Sequence, residues 1–139
     1  MAEKTLQYIS SKMKNIDLCM FTTKSGRGTL TSRPMSNNGD VKYDGNSYFF
    51  SFEKTKKVKE ILDDSSVNLT FNTKEGMFIS VAGKARIIKS KTVMQEHWVP
   101  SLNQWFNEGV DTPGVVMIVV KANRIKYWYK MKEGEVKVP

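Results

Sequence analysis

Two short stretches of the chain combine residues that can bind an anion. In the first, Phe50 and Ser51 end an aromatic run, Thr55 stands where a helix N-cap belongs, and Lys56 and Lys57 fall in the first helical turn. Backbone N–H groups at a helix start attract anions, and the helix dipole adds to that attraction. The dipole disfavours lysines there, and a bound phosphate would account for them, although these residues taken alone favour a solvated basic turn.

The second stretch is Thr31-Ser32-Arg33-Pro34-Met35. Taken alone, an arginine beside a proline indicates only a surface strand. Taken with the two lysines, it places an arginine on one strand and a lysine-bearing helix start after the next main strand. These groups can converge on one phosphate, for which the guanidinium supplies a planar pair of donors.

Other kinds of site find little support in the composition. His97 and Cys19 are the only histidine and the only cysteine, and they stand far apart, which argues against a zinc site. The glycine-rich patterns of dinucleotide-binding and P-loop proteins are missing. The net charge of +8 favours anionic partners, but the basic residues are spread along the whole chain.

The apolar pattern predicts an amphipathic helix in the first fifteen residues, followed by six or seven strands joined by hairpins and helices. The segments predicted as strands are residues 18–23, 29–36, 47–52, 66–72, 77–88, 115–120 and 124–129. Pro34 predicts that the second strand lies at an edge or is irregular. The composition, 40% hydrophobic and 26% charged, fits a single domain over residues 1–139, an α+β barrel or sandwich with packed helices.

The helical segments carry weaker signals. The helix after Thr55 is expected to place Val58, Ile61 and Leu62 on its apolar face, and residues 90–106 are expected to be helical with a break at Pro100. The residues after Tyr129 are expected to form a polar tail.

In their order and spacing, these motifs resemble the FMN-binding split-barrel family related to pyridoxamine phosphate oxidase, and most closely its bacterial general-stress-protein branch. The residues that carry the resemblance are Arg33-Pro34-Met35, Tyr48-Phe49-Phe50-Ser51, Thr55-Lys56-Lys57, Val81-Ala82-Gly83-Lys84-Ala85, Trp98, residues 105–113 and Tyr127-Trp128. The resemblance implies a six-stranded antiparallel split β-barrel flanked by helices. It also implies a homodimer whose two chains form two FMN sites.

The resemblance implies that Arg33 and Lys57 contact the FMN phosphate, with the Thr55 hydroxyl and Lys56 nearby. FMN is preferred over FAD only because a terminal phosphate is implied at these residues, and FAD stays an alternative.

Two pairs of residues are implied along the rest of the flavin. Pro34 and Met35 would line the isoalloxazine ring, and Phe50 and Ser51 would flank the ring and the ribityl chain. Either Trp98 or Trp128 is implied near the flavin of the second chain, and a buried core position is the alternative for each.

The chain departs from the oxidases that make pyridoxal phosphate. Those enzymes carry an arginine-rich substrate motif in a longer C-terminal region, whereas the segment after Trp128 here has only Lys130, Lys132 and Lys137. Thr55 takes the place of the serine in a Ser-x-Lys phosphate motif and keeps the hydroxyl. The sequence therefore predicts an FMN-binding protein of the general stress type. Oxidoreductase activity on an unidentified small molecule stays open, its catalytic residues are not identified, and pyridoxamine phosphate oxidation is not expected.

Two other functions compete with flavin binding. A basic nucleic-acid-binding barrel would use the aromatic residues of the third strand, Tyr48 to Phe52, to stack bases. However, consecutive residues of a strand point to opposite faces, so at most half of these rings can share one platform. A structural or interaction domain that has lost its ligand is the third hypothesis.

The predicted location is the cytoplasm, without contact to a membrane. The segment from Met1 to Thr5 lacks the apolar run of a signal peptide, and no stretch approaches ~20 apolar residues. A lone Cys19 cannot form an internal disulfide, which agrees with a reducing compartment.

Overall fold

The computed structural model describes residues 5–37 and 43–139, so the charged start of the chain, residues 1–4, lies outside it. Within these ranges a single antiparallel sheet is accompanied by short helices. The strands are β1 Leu18–Lys24, β2 Leu30–Ser36, β3 Asn46–Phe52, β4 Ser66–Asn72, β5 Phe78–Ile88, β6 Val115–Tyr129 and β7 Lys132–Val136. The helices are α1 Leu6–Met13, α2 Lys56–Asp63 and α3 Lys91–Glu96, with 3₁₀ turns at Pro100–Gln104 and Gly109–Asp111.

The strands are ordered β2-β1-β4-β5-β6-β3, and β7 pairs with β6. The sheet curls so strongly that its ends approach one another. Phe21 of β1 and Phe49 of β3 are not on neighbouring strands, yet their rings meet edge-on with centroids 5.2 Å apart in the core. This is the predicted α+β split barrel. Strand β2 lies at an edge of the sheet, one of the two outcomes that Pro34 predicted.

One face of each strand builds the core. Across β1, β4, β5 and β6 the residues Phe21, Leu69, Val81 and Ile125 lie opposite one another, and each is fully buried. On β3 the aromatic residues divide between the faces: Phe49 enters this core, while Tyr48 and Phe50 pack into a second cluster under α3 and the 3₁₀ turns. The division follows from the alternation of side chains along a strand.

The α2 helix corrects one prediction. Val58 and Ile61 are buried as expected, but Leu62 is 70% exposed, and Glu60 is the residue that turns inward with only 4% exposure. Glu60 can face the sheet because Arg33 and Thr23 satisfy its carboxylate there. An ion pair thus sets the rotation of the helix, which the apolar pattern alone does not report.

Two other segments also differ from expectation. Residues 115–120 and 124–129 form one continuous strand, β6, in which Lys121 and Ala122 also pair with β5 and a register shift opposite Ala82 and Gly83 accommodates Asn123. The expected polar tail is strand β7, whose Val136 is buried against β6. The segment 90–106, expected to be helical with a break at Pro100, consists of α3 and a 3₁₀ turn that begins at Pro100, with the break at residues 97–99.

Candidate functional site

A cleft of about 730 Å³ opens where the two ends of the curled sheet face each other. One wall is the end of β2, residues 34–37, and the opposite wall is β3, residues 48–52. Residues between 99 and 106 and the connection from α1 to β1 form the rim, and Lys57 of α2 closes one end. A volume of this size is typical of sites for small molecules and cofactors.

Arg33 is not part of the cleft lining, but its charge acts on Lys57 at the basic end, and three groups hold its side chain. Its Nη1 donates to the carbonyl of Phe21 at 3.2 Å and to the hydroxyl of Thr23 at 2.7 Å. Its Nη2 donates to Oε1 of Glu60 at 3.3 Å, and the Thr23 hydroxyl donates to the same oxygen at 3.1 Å. The side chain of Glu60 is nearly closed off from solvent, so solvent screens the attraction within this ion pair less than in a surface pair.

Lys57 lies on the cleft side of the same helix, one turn before Glu60. Burial, and secondly the nearby charge of Arg33, lower the pKa of its amine below the usual lysine range. Two cations therefore share this end of the cleft, and one carboxylate compensates them. Such an arrangement attracts an anion, because an anion relieves both the burial cost and the repulsion.

Thr55 is the N-cap of α2, as predicted, but its side chain does not cap the helix N–H groups. Its hydroxyl donates instead to the carbonyl of Phe52 at 2.9 Å. Lys56 is exposed in the first turn, beside the half-buried Lys57. The backbone N–H groups at the start of α2 are thus left without a side-chain acceptor from the described residues.

The walls of the cleft bring together four more of the predicted residues. Pro34 and Met35 lie on the β2 side, and Phe50 and Ser51 lie on the β3 side. Trp98 does not line the cleft; it packs behind the β3 wall, edge-on to Phe50 with ring centroids 4.8 Å apart. These four residues and Lys57 therefore line one space, whose walls mix polar and apolar side chains and whose basic end is at Lys57.

Trp128 is the predicted residue that this chain places elsewhere. It lies near the end of β6 that is remote from β3, opposite Phe78 of β5 and Glu133 of β7. Its Nε1 donates to the Glu133 carboxylate at 2.9 Å, and its ring is 39% exposed. It does not line the cleft of its own chain.

Sequence reasoning missed several residues of the site. Glu60 contacts Arg33, while Leu18, Leu102 and Trp105 form an apolar rim, with Leu18 and Trp105 mostly exposed. A signal for Glu60 was available, since a glutamate between Val58 and Ile61 interrupts the apolar face of α2. No comparable signal marks the rim, because it forms only when the chain segments around it fold together.

Within the described ranges, no helix is long and apolar enough to cross a membrane. Across residues 5–37 and 43–139, no group of three metal-ligating side chains is gathered in one place.

Comparison with known proteins gives one match to a family model. The family is described as pyridoxamine 5′-phosphate oxidase like, and its model matches residues 4–138. A curated relative, protein bli-3 of Neurospora crassa, is 26% identical over 129 residues. The match takes in 86% of this chain but only 62% of that protein, so the chain spans less than two thirds of its relative.

Three solved structures share the fold. A Clostridium acetobutylicum protein related to general stress protein 26 of B. subtilis is similar with a TM-score of 0.83 and 16% identity, over 96% of this chain and 94% of that one. General stress protein 26 of Bacillus anthracis gives 0.71 and 22%, over 86% and 89%. The general stress FMN/FAD binding protein of Xanthomonas citri gives 0.76 and 20%, over 91% and 90%.

Proposed function

The chain belongs to the pyridoxamine 5′-phosphate oxidase-like family, and from that premise we propose that it binds FMN noncovalently in the cleft between β2 and β3. The observation that carries the proposal is the pairing of two cations at one end of the cleft, where Lys57 lines the cleft and Arg33 lies close enough to lower its pKa. The similar Xanthomonas citri protein is itself described as binding FMN or FAD. FMN fits the cleft better, because its phosphate is terminal and the cations stand at the end of the cleft.

The basic end binds the phosphate in this proposal. Lys57 and Arg33 donate charge-assisted hydrogen bonds, and the open N–H groups of α2 add to them. Lys56 extends from the same turn toward solvent and strengthens the local positive potential. The Thr55 hydroxyl must leave the Phe52 carbonyl before it can donate to the phosphate.

The rest of the flavin follows the two walls. Pro34 and Met35 contact the isoalloxazine ring from β2, and Phe50 and Ser51 flank the ring and the ribityl chain from β3. Trp98 supports Phe50 from behind, so it acts on the ring only through that wall. When bound, a flavin supplies electron transfer, and the residues named here bind and orient it.

We assign the protein to the general stress type and to the cytoplasm, where its single buried thiol, Cys19, is in a reducing compartment. Its proposed oxidoreductase activity acts on an unidentified small molecule.

The aromatic residues of β3 argue against the nucleic-acid alternative, because Phe49 is enclosed in the core and Phe50 packs against Trp98. Pyridoxal phosphate formation from pyridoxamine phosphate under air is not expected from FMN-loaded protein. Turnover near ~1 per second would contradict this.

The experiment begins with the absorption spectrum of protein purified from fresh lysate. Protein with bound flavin is yellow. Titration with FMN and with riboflavin then measures what the phosphate contributes. A charge-assisted hydrogen bond is worth roughly 1.5–3 kcal/mol, so Arg33→Ala or Lys57→Ala is expected to weaken FMN about ten- to a hundredfold. Riboflavin affinity is expected to change much less.

Lys59→Ala is the matched control, since Lys59 is exposed on the same helix away from the cleft lining. It is expected to leave both affinities unchanged. Equal weakening of FMN and riboflavin in Arg33→Ala and Lys57→Ala would show that the phosphate lies elsewhere. A protein that binds neither flavin would refute the proposed function.

A further inference from the structure

Arg33 has more donors than its contacts use. A guanidinium carries five N–H donors. Among the contacts that the described residues make, two belong to Nη1, on Phe21 and Thr23, and one to Nη2, on Glu60. The Nε–H and the second Nη2–H are left over. Because Thr23 bonds both Nη1 and Glu60, we take Glu60 to accept the Nη2–H on the Nη1 side, which leaves the other Nη2–H beside Nε–H in the spacing that matches two oxygens of a phosphate.

Glu60 and Thr23 determine which donors stay available. The Glu60 oxygen accepts from both Arg33 and Thr23, so the three side chains form a closed set of hydrogen bonds. Thr23 is fully buried on the inner face of β1, and Glu60 is buried on α2. Both positions are fixed by regular secondary structure, which removes the rotational freedom that a long arginine side chain otherwise has.

We propose that Glu60 and Thr23 are positioning residues for Arg33: they hold its inner donors so that Nε–H and Nη2–H face the flavin phosphate as a pair. The inference rests on the proposed function and extends it to two residues that do not themselves touch the flavin. It also explains why a carboxylate stands beside a site for an anion. The carboxylate weakens the positive potential, but it orients the one side chain that can bind two phosphate oxygens at once.

The test compares the ratio of riboflavin to FMN dissociation constants, which isolates the phosphate contribution from the fit of the ring. Thr23→Val keeps the shape of the side chain and every charge while it removes the bridging hydroxyl. We expect the ratio to fall roughly three- to tenfold, the value of one ordinary hydrogen bond. Thr22→Val is the matched control, because Thr22 is the next residue on the same strand and bonds Ser32 on the outer face.

A second pair of variants separates orientation from charge. Glu60→Gln and Glu60→Met both remove the negative charge, but only glutamine keeps an oxygen that can accept from Arg33 and Thr23. The ratio in Glu60→Met is therefore expected to be at least about threefold below that in Glu60→Gln. A purely electrostatic role would give both variants the same, raised ratio.

The proposal is overturned if Thr23→Val matches the unaltered protein, or if Glu60→Met matches or exceeds Glu60→Gln. Circular dichroism and thermal unfolding establish that each variant is folded. If Glu60→Met does not fold, the comparison of Thr23→Val with Thr22→Val decides. An unaltered protein that binds neither flavin refutes the proposed function and this inference together, whereas an unchanged ratio on a flavin-binding protein refutes this inference alone.

Discussion

Lys57 is the residue whose charge state links the fold to ligand binding. Its ammonium is partly buried near Arg33, so its pKa in the folded protein lies below that of the unfolded chain. The charged form therefore costs stability at neutral pH, and that cost disappears as the pH rises above the unfolded pKa. A bound phosphate reverses the balance, because it favours the ammonium and raises the pKa again.

This linkage predicts a pH profile for FMN affinity. Affinity is expected to rise through about pH 6, where a phosphate monoester gains its second charge. It is expected to fall again as the pH passes upward through the lowered pKa of Lys57, while riboflavin affinity stays flat. Lys57→Met is expected to lose the decline at high pH and to keep the rise near pH 6. Fluorescence titration across the pH range checks both limbs, and an unchanged decline in Lys57→Met would assign it to another group.

Some residues of the site could be predicted from sequence patterns and others could not. The predicted positions Arg33, Pro34, Phe50 and Lys57 come together because motif order and strand alternation are local properties that a sequence displays. Glu60 and the apolar rim at Trp105 were missed because partners far away in the chain determine them. Leu62 is an example, since its apolar character indicated burial, but Glu60, two residues earlier on the opposite side of the helix, is buried by its ion pair with Arg33 and Leu62 is exposed.

At the scale of elements, the bulge in β6 depends on Gly83 of β5. A Cβ built at Gly83 would lie at 2.3 Å from the carbonyl oxygen of Lys121, a backbone atom that cannot move without breaking the ladder. Gly83→Ala is therefore expected to destabilise the protein by roughly 3 kcal/mol, at the upper end for overpacking. Gly26→Ala is the control, because its Cβ would meet its nearest neighbour, the Asp63 carboxylate, only at 4.0 Å. Urea unfolding compares the two, and equal midpoints would contradict the argument.

The hairpin between β6 and β7 carries strain that can be removed. Lys130 and Met131 form its turn with φ values of 50° and 67°, a left-handed conformation that costs most residues energy. Asparagine followed by glycine is the preferred pair for such a turn. The double change Lys130→Asn with Met131→Gly is expected to stabilise the protein by about 1 kcal/mol. Thermal unfolding measures it, and Met131→Ala, which keeps the strain, is expected to bring no gain.

The strand predictions were right for regular strands. They were wrong for the long strand β6 and for the C-terminal strand β7. Strict alternation identified β4, and a strong turn signal with Gly45 identified the start of β3. The two predicted segments of β6 are one strand because a bulge lets pairing continue past the polar residues at 121–124. Strand β7 has few apolar residues, so only its pairing with β6 makes it a strand.

At the scale of the whole molecule, one face of the curled sheet is left uncovered by the described residues. Leu18 and Met20 of β1, Phe78 of β5 and Trp128 of β6 lie on this outer face, between 39% and 60% exposed. Exposed apolar side chains on one sheet face favour contact with another chain, and we expect a two-fold related copy to cover them. Trp128 is then the tryptophan available to a second chain, since Trp98 is packed between Phe50 and Phe106.

The chain is accordingly expected to be a homodimer that loses flavin when it dissociates. Phe78→Glu places a charge beside Trp128 on the outer face, at the start of β5, without disturbing the core, so it is expected to yield a monomer at micromolar concentration and to weaken FMN binding. Leu62→Glu is the matched control, because Leu62 is also an exposed apolar residue but lies on α2, and this variant is expected to stay dimeric. Sedimentation velocity recorded at the flavin absorbance follows both properties at once. A monomer of unaltered sequence that sediments with its flavin would refute the two-chain site, because the cleft of one chain would then be sufficient.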